Sequence, residues 1–209
     1  MAIRRKLTVT RISSMSNINQ KNTVFKLIIS LTMMVMPHAY SQEIAEIEKI
    51  PLEYMKKLNS ILGEWDTVHF EYTDEGEWKK TAISKTIFTK KLKGKLIVEE
   101  IRNLKPATGF IVETAITYDQ YRHLYRLSAI DDTYGLMDIY EGKLENNTLV
   151  VTNLRAGTHF PTKEGGKMHF RLTFEEADHN NREFLVERSS DEGQTWLPMV
   201  KNILKRIVR

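Results

Sequence analysis

The residues of this 209-residue chain best suited to chemistry are six histidines, adjacent carboxylates and a cluster of tyrosines. His38 lies in the N-terminal stretch; His69, His123, His159, His169 and His179 are scattered along the rest. None stands in an H-x-H or H-E-x-x-H spacing, so no metal site is predicted, although two histidines could meet across strands. Glu99-Glu100 and Asp131-Asp132 are two such carboxylate pairs. Adjacent strand residues point to opposite faces, so neither pair converges on one substrate as general acid–base chemistry requires. One member of each pair is expected in solvent and the other hydrogen-bonded to a neighbour. Tyr118, Tyr121, Tyr125, Tyr134 and Tyr140 fall within 23 residues. Such a cluster suits a cavity wall with a few polar handles, or a barrel exterior packed under a helix. Parity turns Tyr118 and Tyr125 inward together with Thr114, and leaves Tyr140 open. His123 shares a face with Tyr121, Tyr125 and Leu127. It is a polar cavity group if that face points in, or a hydrogen-bonded core histidine. Thr114, Tyr118, His123, Tyr125 and Tyr140 are therefore the candidate ligand contacts.

Several chemistries lack their motifs. There is no G-x-S-x-G elbow and no glycine-rich phosphate loop. With no cysteine there is no thiol nucleophile, zinc–thiolate centre or disulfide. No catalytic residue, metal or cofactor is assigned. Dispersed Tyr, His and Arg side chains could still serve a barrel enzyme.

The N-terminus reads as an export signal. Residues 27–36, LIISLTMMVM, form an uncharged apolar run preceded by Lys21 and Lys26 and followed by Pro37. The run is too short to span a bilayer as a helix. Ala39-Tyr40-Ser41 places small residues where a signal peptidase reads, so cleavage is predicted between Ser41 and Gln42. Met15 would give a signal of more usual length than Met1. Residues 1–41 hold six basic residues and no acidic one, so the net charge of +4 becomes −2 for residues 42–209. No basic stripe remains to suggest nucleic acid. No cysteine is present to carry a lipid anchor, so a soluble periplasmic or secreted protein is expected.

The mature chain reads as a helical segment, 42–61, followed by one domain, 62–209. Ile44, Ile47, Ile50, Met55, Leu58 and Ile61 recur at roughly helical spacing, with Pro51 expected to divide or restart the helix. From Trp65 the period becomes two, giving about ten strands: 65–72, 78–92, 95–103, 110–118, 121–130, 136–144, 148–155, 167–175, 182–189 and 195–208. Tight turns are expected at Asp119-Gln120 and Asn146-Asn147. The irregular stretch 156–166 is a candidate flap over a barrel mouth. Short connections without intervening helices imply antiparallel pairing, and so many strands tend to close. The fold class is all-β, an antiparallel up-and-down barrel with a short N-terminal helix; the alternative is a β-sandwich. Ser189-Ser190-Asp191-Glu192-Gly193-Gln194-Thr195-Trp196 matches an Asp-box, S-x-D-x-G-x-T-W. Asp191 should accept turn N–H bonds, Gly193 supply a positive φ, and Trp196 fold beneath. Asp-boxes recur in sialidase propellers, but one copy cannot build a propeller.

Leu62-Gly63-Glu64-Trp65 opens the first strand after a helix, and Lys205-Arg206 lies in the last. This pairing resembles the lipocalin-like (calycin) group. There Gly turns the chain in, Trp plugs the base, and a basic residue, here Arg206, covers the Trp. Residues 117–152 and the SSDEGQTW segment also resemble a secreted bacterial family of unknown function with a lipocalin-like domain. The resemblance spans about residues 58–208 and implies a fold with little chemistry. Haem-binding barrels of this shape use a C-terminal histidine, and residues 195–209 contain none. The leading expectation is a carrier of a small, mostly hydrophobic molecule. The alternatives are an envelope interaction module with a filled barrel, and an enzyme acting on a hydrophobic substrate. The sequence names no protein partner.

Overall fold

The computed structural model describes residues 47, 49–106, 111–163 and 165–208. The predicted signal lies outside them, as do the helix's first residues. Residues 49–56 are α-helical, without a division at Pro51, and a 3₁₀ turn, Asn59–Ile61, follows. Met55, Leu58 and Ile61 of the expected stripe are buried, whereas Ile47 and Ile50 are exposed.

Eleven strands follow: β1 Gly63–Tyr72, β2 Trp78–Lys91, β3 Leu96–Lys105, β4 Val112–Asp119, β5 Leu124–Asp131, β6 Met137–Glu145, β7 Thr148–Thr152, β8 Phe160–Pro161, β9 Lys167–Glu176, β10 Asn181–Ser189 and β11 Leu197–Arg206. Consecutive strands from β1 to β7 pair antiparallel; β9 pairs with β7 and β10, and β11 pairs with β10 and β1. The ten long strands form a closed up-and-down barrel with no sheet edge between its first and last strands, which excludes the sandwich. The two-residue β8 rejoins β9 on the edge that β7 occupies, after an excursion over residues 153–159. The expected flap is thus partly a continuation of the wall.

Closure follows from the period-two pattern. Trp65 and Thr67 of β1, Thr86 and Phe88 of β2, and Ile97 of β3 are all buried on the inner face. On β4, Thr114, Ile116 and Tyr118 follow the same parity. The helix closes one end, where the β2–β3, β4–β5 and β6–β7 turns gather: Leu52 approaches Gly94, and Tyr54 stacks on Tyr118 with ring centres 3.8 Å apart. Trp65 is fully buried there. Its Nε1 donates to the Ile61 carbonyl at 2.9 Å, and the Arg206 guanidinium lies 4.1 Å from its ring centre. Gly63 adopts φ +117°, and a Cβ there would stand 3.0 Å from Arg206 Nη1. The left-handed backbone that lets the chain enter the barrel thus also makes room for the arginine.

At the other end the Asp-box turns β10 into β11. Asp191 accepts from the Thr195 N–H at 2.9 Å, the Thr195 hydroxyl at 2.6 Å and the Ser189 hydroxyl at 2.7 Å. These bonds hold its carboxyl at about 2. Gly193 has φ +86°, and a Cβ there would meet the Trp196 ring at 3.2 Å. The Arg171 guanidinium covers the Trp196 ring at 4.8 Å. These contacts shape the turn between β10 and β11.

Candidate functional site in the open half of the barrel

Two of the candidate contacts close the barrel instead of facing open space. Tyr118 stacks on Tyr54 and meets Tyr125 edge-on at 5.2 Å, while the Tyr125 hydroxyl donates to the Tyr54 carbonyl at 2.9 Å. Burial pushes both phenols up to about 12. Tyr140 is buried facing inward. Burial and neighbouring Asp138 raise its pKa, an effect that keeps it neutral. His123 is corrected. Asp119 Oδ1 accepts from the N–H groups of Tyr121 and Arg122, so the turn between β4 and β5 extends to His123, which is exposed at φ +55°. The expected two-residue turn had put Tyr121 and His123 in a strand; both stand outside the barrel.

Thr114 remains as an interior contact, and it leads to a residue not singled out from the sequence as a site. Its hydroxyl donates to Glu99 Oε2 at 2.6 Å. Glu99 points inward because it is the register partner of buried Phe88. Its neighbour Glu100 points outward and is bound by Arg102 at 2.6 Å, as the parity argument expects. Burial pushes the Glu99 carboxyl up to about 7, against the opposing hydrogen bond from Thr114. Near neutral pH this group can donate or accept a proton in a hydrogen bond. The second carboxylate pair is used differently from expectation. Asp131 accepts from the N–H groups of Thr133 and Leu136, and Asp132 accepts from Ile111, so both members cap turns.

A second polar group stands on β1, β2 and β11. His69 Nδ1 lies 2.9 Å from Asn202 Oδ1, and Nε2 lies 2.8 Å from Ser84 Oγ. Burial lowers the histidine pKa, so the neutral ring donates on one side and accepts on the other. Hydroxyl, imidazole and amide stand in the order of a nucleophile, its base and an orienting group. Ser84, however, is only 6% exposed, which keeps its oxygen from a substrate. The chain reads better as a satisfied interior network.

Between these groups and the opposite wall the barrel changes character. At the helix end, inward residues such as Trp65, Ile97 and Val151 are fully buried. Toward the Asp-box end, inward-facing Phe170, Phe184, Val186, Val200 and Asn202 are only half-buried. Solvent therefore reaches the interior from that side. The space that Phe184 and Asn202 of this half share with Thr67, Phe88, Glu99 and Leu204 measures about 10 Å³, room for roughly one water molecule. Asp138 lies beside this open half. It accepts from Asn153 Nδ2 at 2.8 Å and from Thr158, fixing both ends of the 153–159 excursion.

A closed ten-stranded antiparallel barrel, plugged at one end by a short helix, defines the class. The chain belongs to the family described as "Protein of unknown function (DUF1579)", whose model matches residues 51–206. Among solved structures the chain is similar to an S-type phycobiliprotein lyase, CPES, from Guillardia theta, at 10% identity and a TM-score of 0.45, over 75% of this chain and 92% of that one. No curated protein matches the chain. Among the described residues, no helix is long and apolar enough to cross a membrane, and no group of three or more metal-ligating carboxylate, histidine or cysteine residues occurs.

Proposed function

We propose that this is an exported binding protein that takes a small amphipathic molecule into the open half of its barrel. The gradient of burial along one wall carries the reading: inward-facing side chains are sealed at the helix end and, on β9, β10 and β11, half-exposed toward the Asp-box end. Phe170, Phe184, Val186 and Val200 offer an apolar wall. Glu99, with Thr114, offers a polar group able to bond a carbonyl, hydroxyl or amine. The sealed tyrosine end supplies rigidity. The apolar segment 27–36 and the small residues before Gln42 support export to the periplasm or beyond. A filled-barrel interaction module is the second reading, and the 10 Å³ enclosed space favours it.

Native mass spectrometry of protein recovered from its producing cell without refolding separates the two. A mass excess lost on denaturation is expected for the binding protein and identifies its ligand. A bare polypeptide mass, unchanged after incubation with a total lipid and metabolite extract, favours the filled barrel. The same spectra report whether the chain begins at Gln42.

A further inference from the structure

We propose that His159 and His169 form a site on the outer wall for a single divalent transition-metal ion of the zinc–copper class. The two rings are 5.6 Å apart, centre to centre, and tilted by 49°. A zinc–imidazole bond is ~2.1 Å, so two rings sharing a tetrahedral ion have centres on the order of 5–6 Å apart. The tilt is not that of a parallel stack. His169 is 4% exposed, and its Nδ1 is buried with no hydrogen-bond partner among the described residues. An orphaned buried ring nitrogen is costly and requires an explanation that packing does not provide. Metal ligation satisfies it. Imidazole nitrogen suits zinc and copper better than magnesium or calcium.

The backbone presents the pair ready-made. β8 pairs Phe160 with Met168, and one further step in the same register sets His159 opposite His169. Opposed side chains on adjacent strands share a face and stand close enough to converge. That face is opposite the one bearing Phe170 and Leu172, so the site lies on the outer wall and does not depend on the barrel's taking a ligand. His159 is held from its own side. Thr158 donates to Asp138 and accepts from the Ile139 N–H at 3.1 Å. Asn153 binds the Phe170 N–H through Oδ1 at 2.7 Å. Residues 10 apart in sequence are thus pinned by a network that uses neither ring. The half-buried His159 leaves coordination positions for water, which makes this an open site.

The test uses the untagged full chain titrated with zinc alone against a chromophoric competing chelator at pH 7.5. One equivalent should bind, and His159→Gln and His169→Gln should each weaken binding by at least about tenfold. His123→Gln and His179→Gln, both at exposed positions, should leave it unchanged. No binding by the wild type, or binding that survives His159→Gln, overturns the proposal. His159 lies on the excursion outside the regular strands, so its variant keeps the test valid if His169→Gln fails to fold.

Discussion

The Arg206 guanidinium lies 4.1 Å from the centre of the Trp65 ring while donating to the carbonyls of Leu62, Ser60 and His179 at 2.8, 2.5 and 3.1 Å. One side chain thus covers the tryptophan and ties the helix exit to the last strand. Arg206→Ala should cost about 2–4 kcal/mol, from charge-assisted hydrogen bonds and a cation–π contact that are not additive. Arg206→Lys keeps the charge but cannot reach three carbonyls with one planar fork, so it should recover only part of the loss. Urea unfolding of the three proteins decides this. An alanine variant within 0.5 kcal/mol of wild type would remove the closure argument.

Glu99 gives a pH signature. Its folded pKa, about 7, lies above the ordinary glutamate value of 4.5. The folded state therefore binds the proton more tightly than the unfolded chain does. Stability from this group is fully present below pH 4.5, declines as pH rises toward 7, and is level above. Glu99→Gln removes the titration and can still accept from Thr114. The variant should gain on wild type by on the order of 1–3 kcal/mol between pH 4 and pH 8. Unfolding measured across that range on both proteins isolates the effect, since other carboxylates cancel in the difference. A difference that stays constant with pH would place Glu99 in water and remove it from the proposed ligand site.

The Asp-box makes the opposite prediction. The Asp191 carboxyl sits at about 2, held down by the Thr195 hydroxyl and N–H and by Ser189. Its contribution is present above pH 3.8 and is lost as pH falls through 2. The stability gap between wild type and Asp191→Asn should narrow over that interval. Gly193→Ala should be destabilising at every pH by about 1–2 kcal/mol, because φ is +86° and the added methyl would meet Leu154 at 2.9 Å. Neither change should alter ligand capture if the motif only shapes the turn.

The barrel was legible because alternation is a local property, and the plugged end because Gly63, Trp65 and Arg206 form a recognisable set. Parity also separated Glu99 from Glu100. The open half was not legible. His69 and Asn202 are 133 residues apart and meet only because β1 closes against β11. Glu99 looked like half of a generic acidic pair until register set it beside Thr114. His123 was misplaced by alternation itself. Tyr121, His123 and Tyr125 continue the period-two pattern through a turn, and the countersignal was Asp119, an Asx-turn former four residues earlier. His159 and His169 could be paired only through β8, a two-residue strand with no sequence signature.

Arg182 and Glu176 are joined at 2.7 Å beneath the interior, with the Ser60 hydroxyl donating to Glu176 at 2.8 Å. Arg182 is 7% exposed, its Nε has no hydrogen-bond partner among the described residues, and burial lowers its pKa. An incompletely satisfied buried ion contributes less than its contact suggests, because desolvation opposes the attraction. Removing only one partner is different: it strands the other charge. Arg182→Leu alone should cost about 3–5 kcal/mol, whereas Arg182→Leu with Glu176→Leu should cost about 1 kcal/mol or less. Leucine at position 182 would also pack against Phe174 and Leu204, which line the same space. If the double variant is as damaged as the single one, the pair contributes net stability. If the double variant recovers, the ion pair serves to fix the register of β9 against β10 and the helix at the plugged end, at a cost in stability.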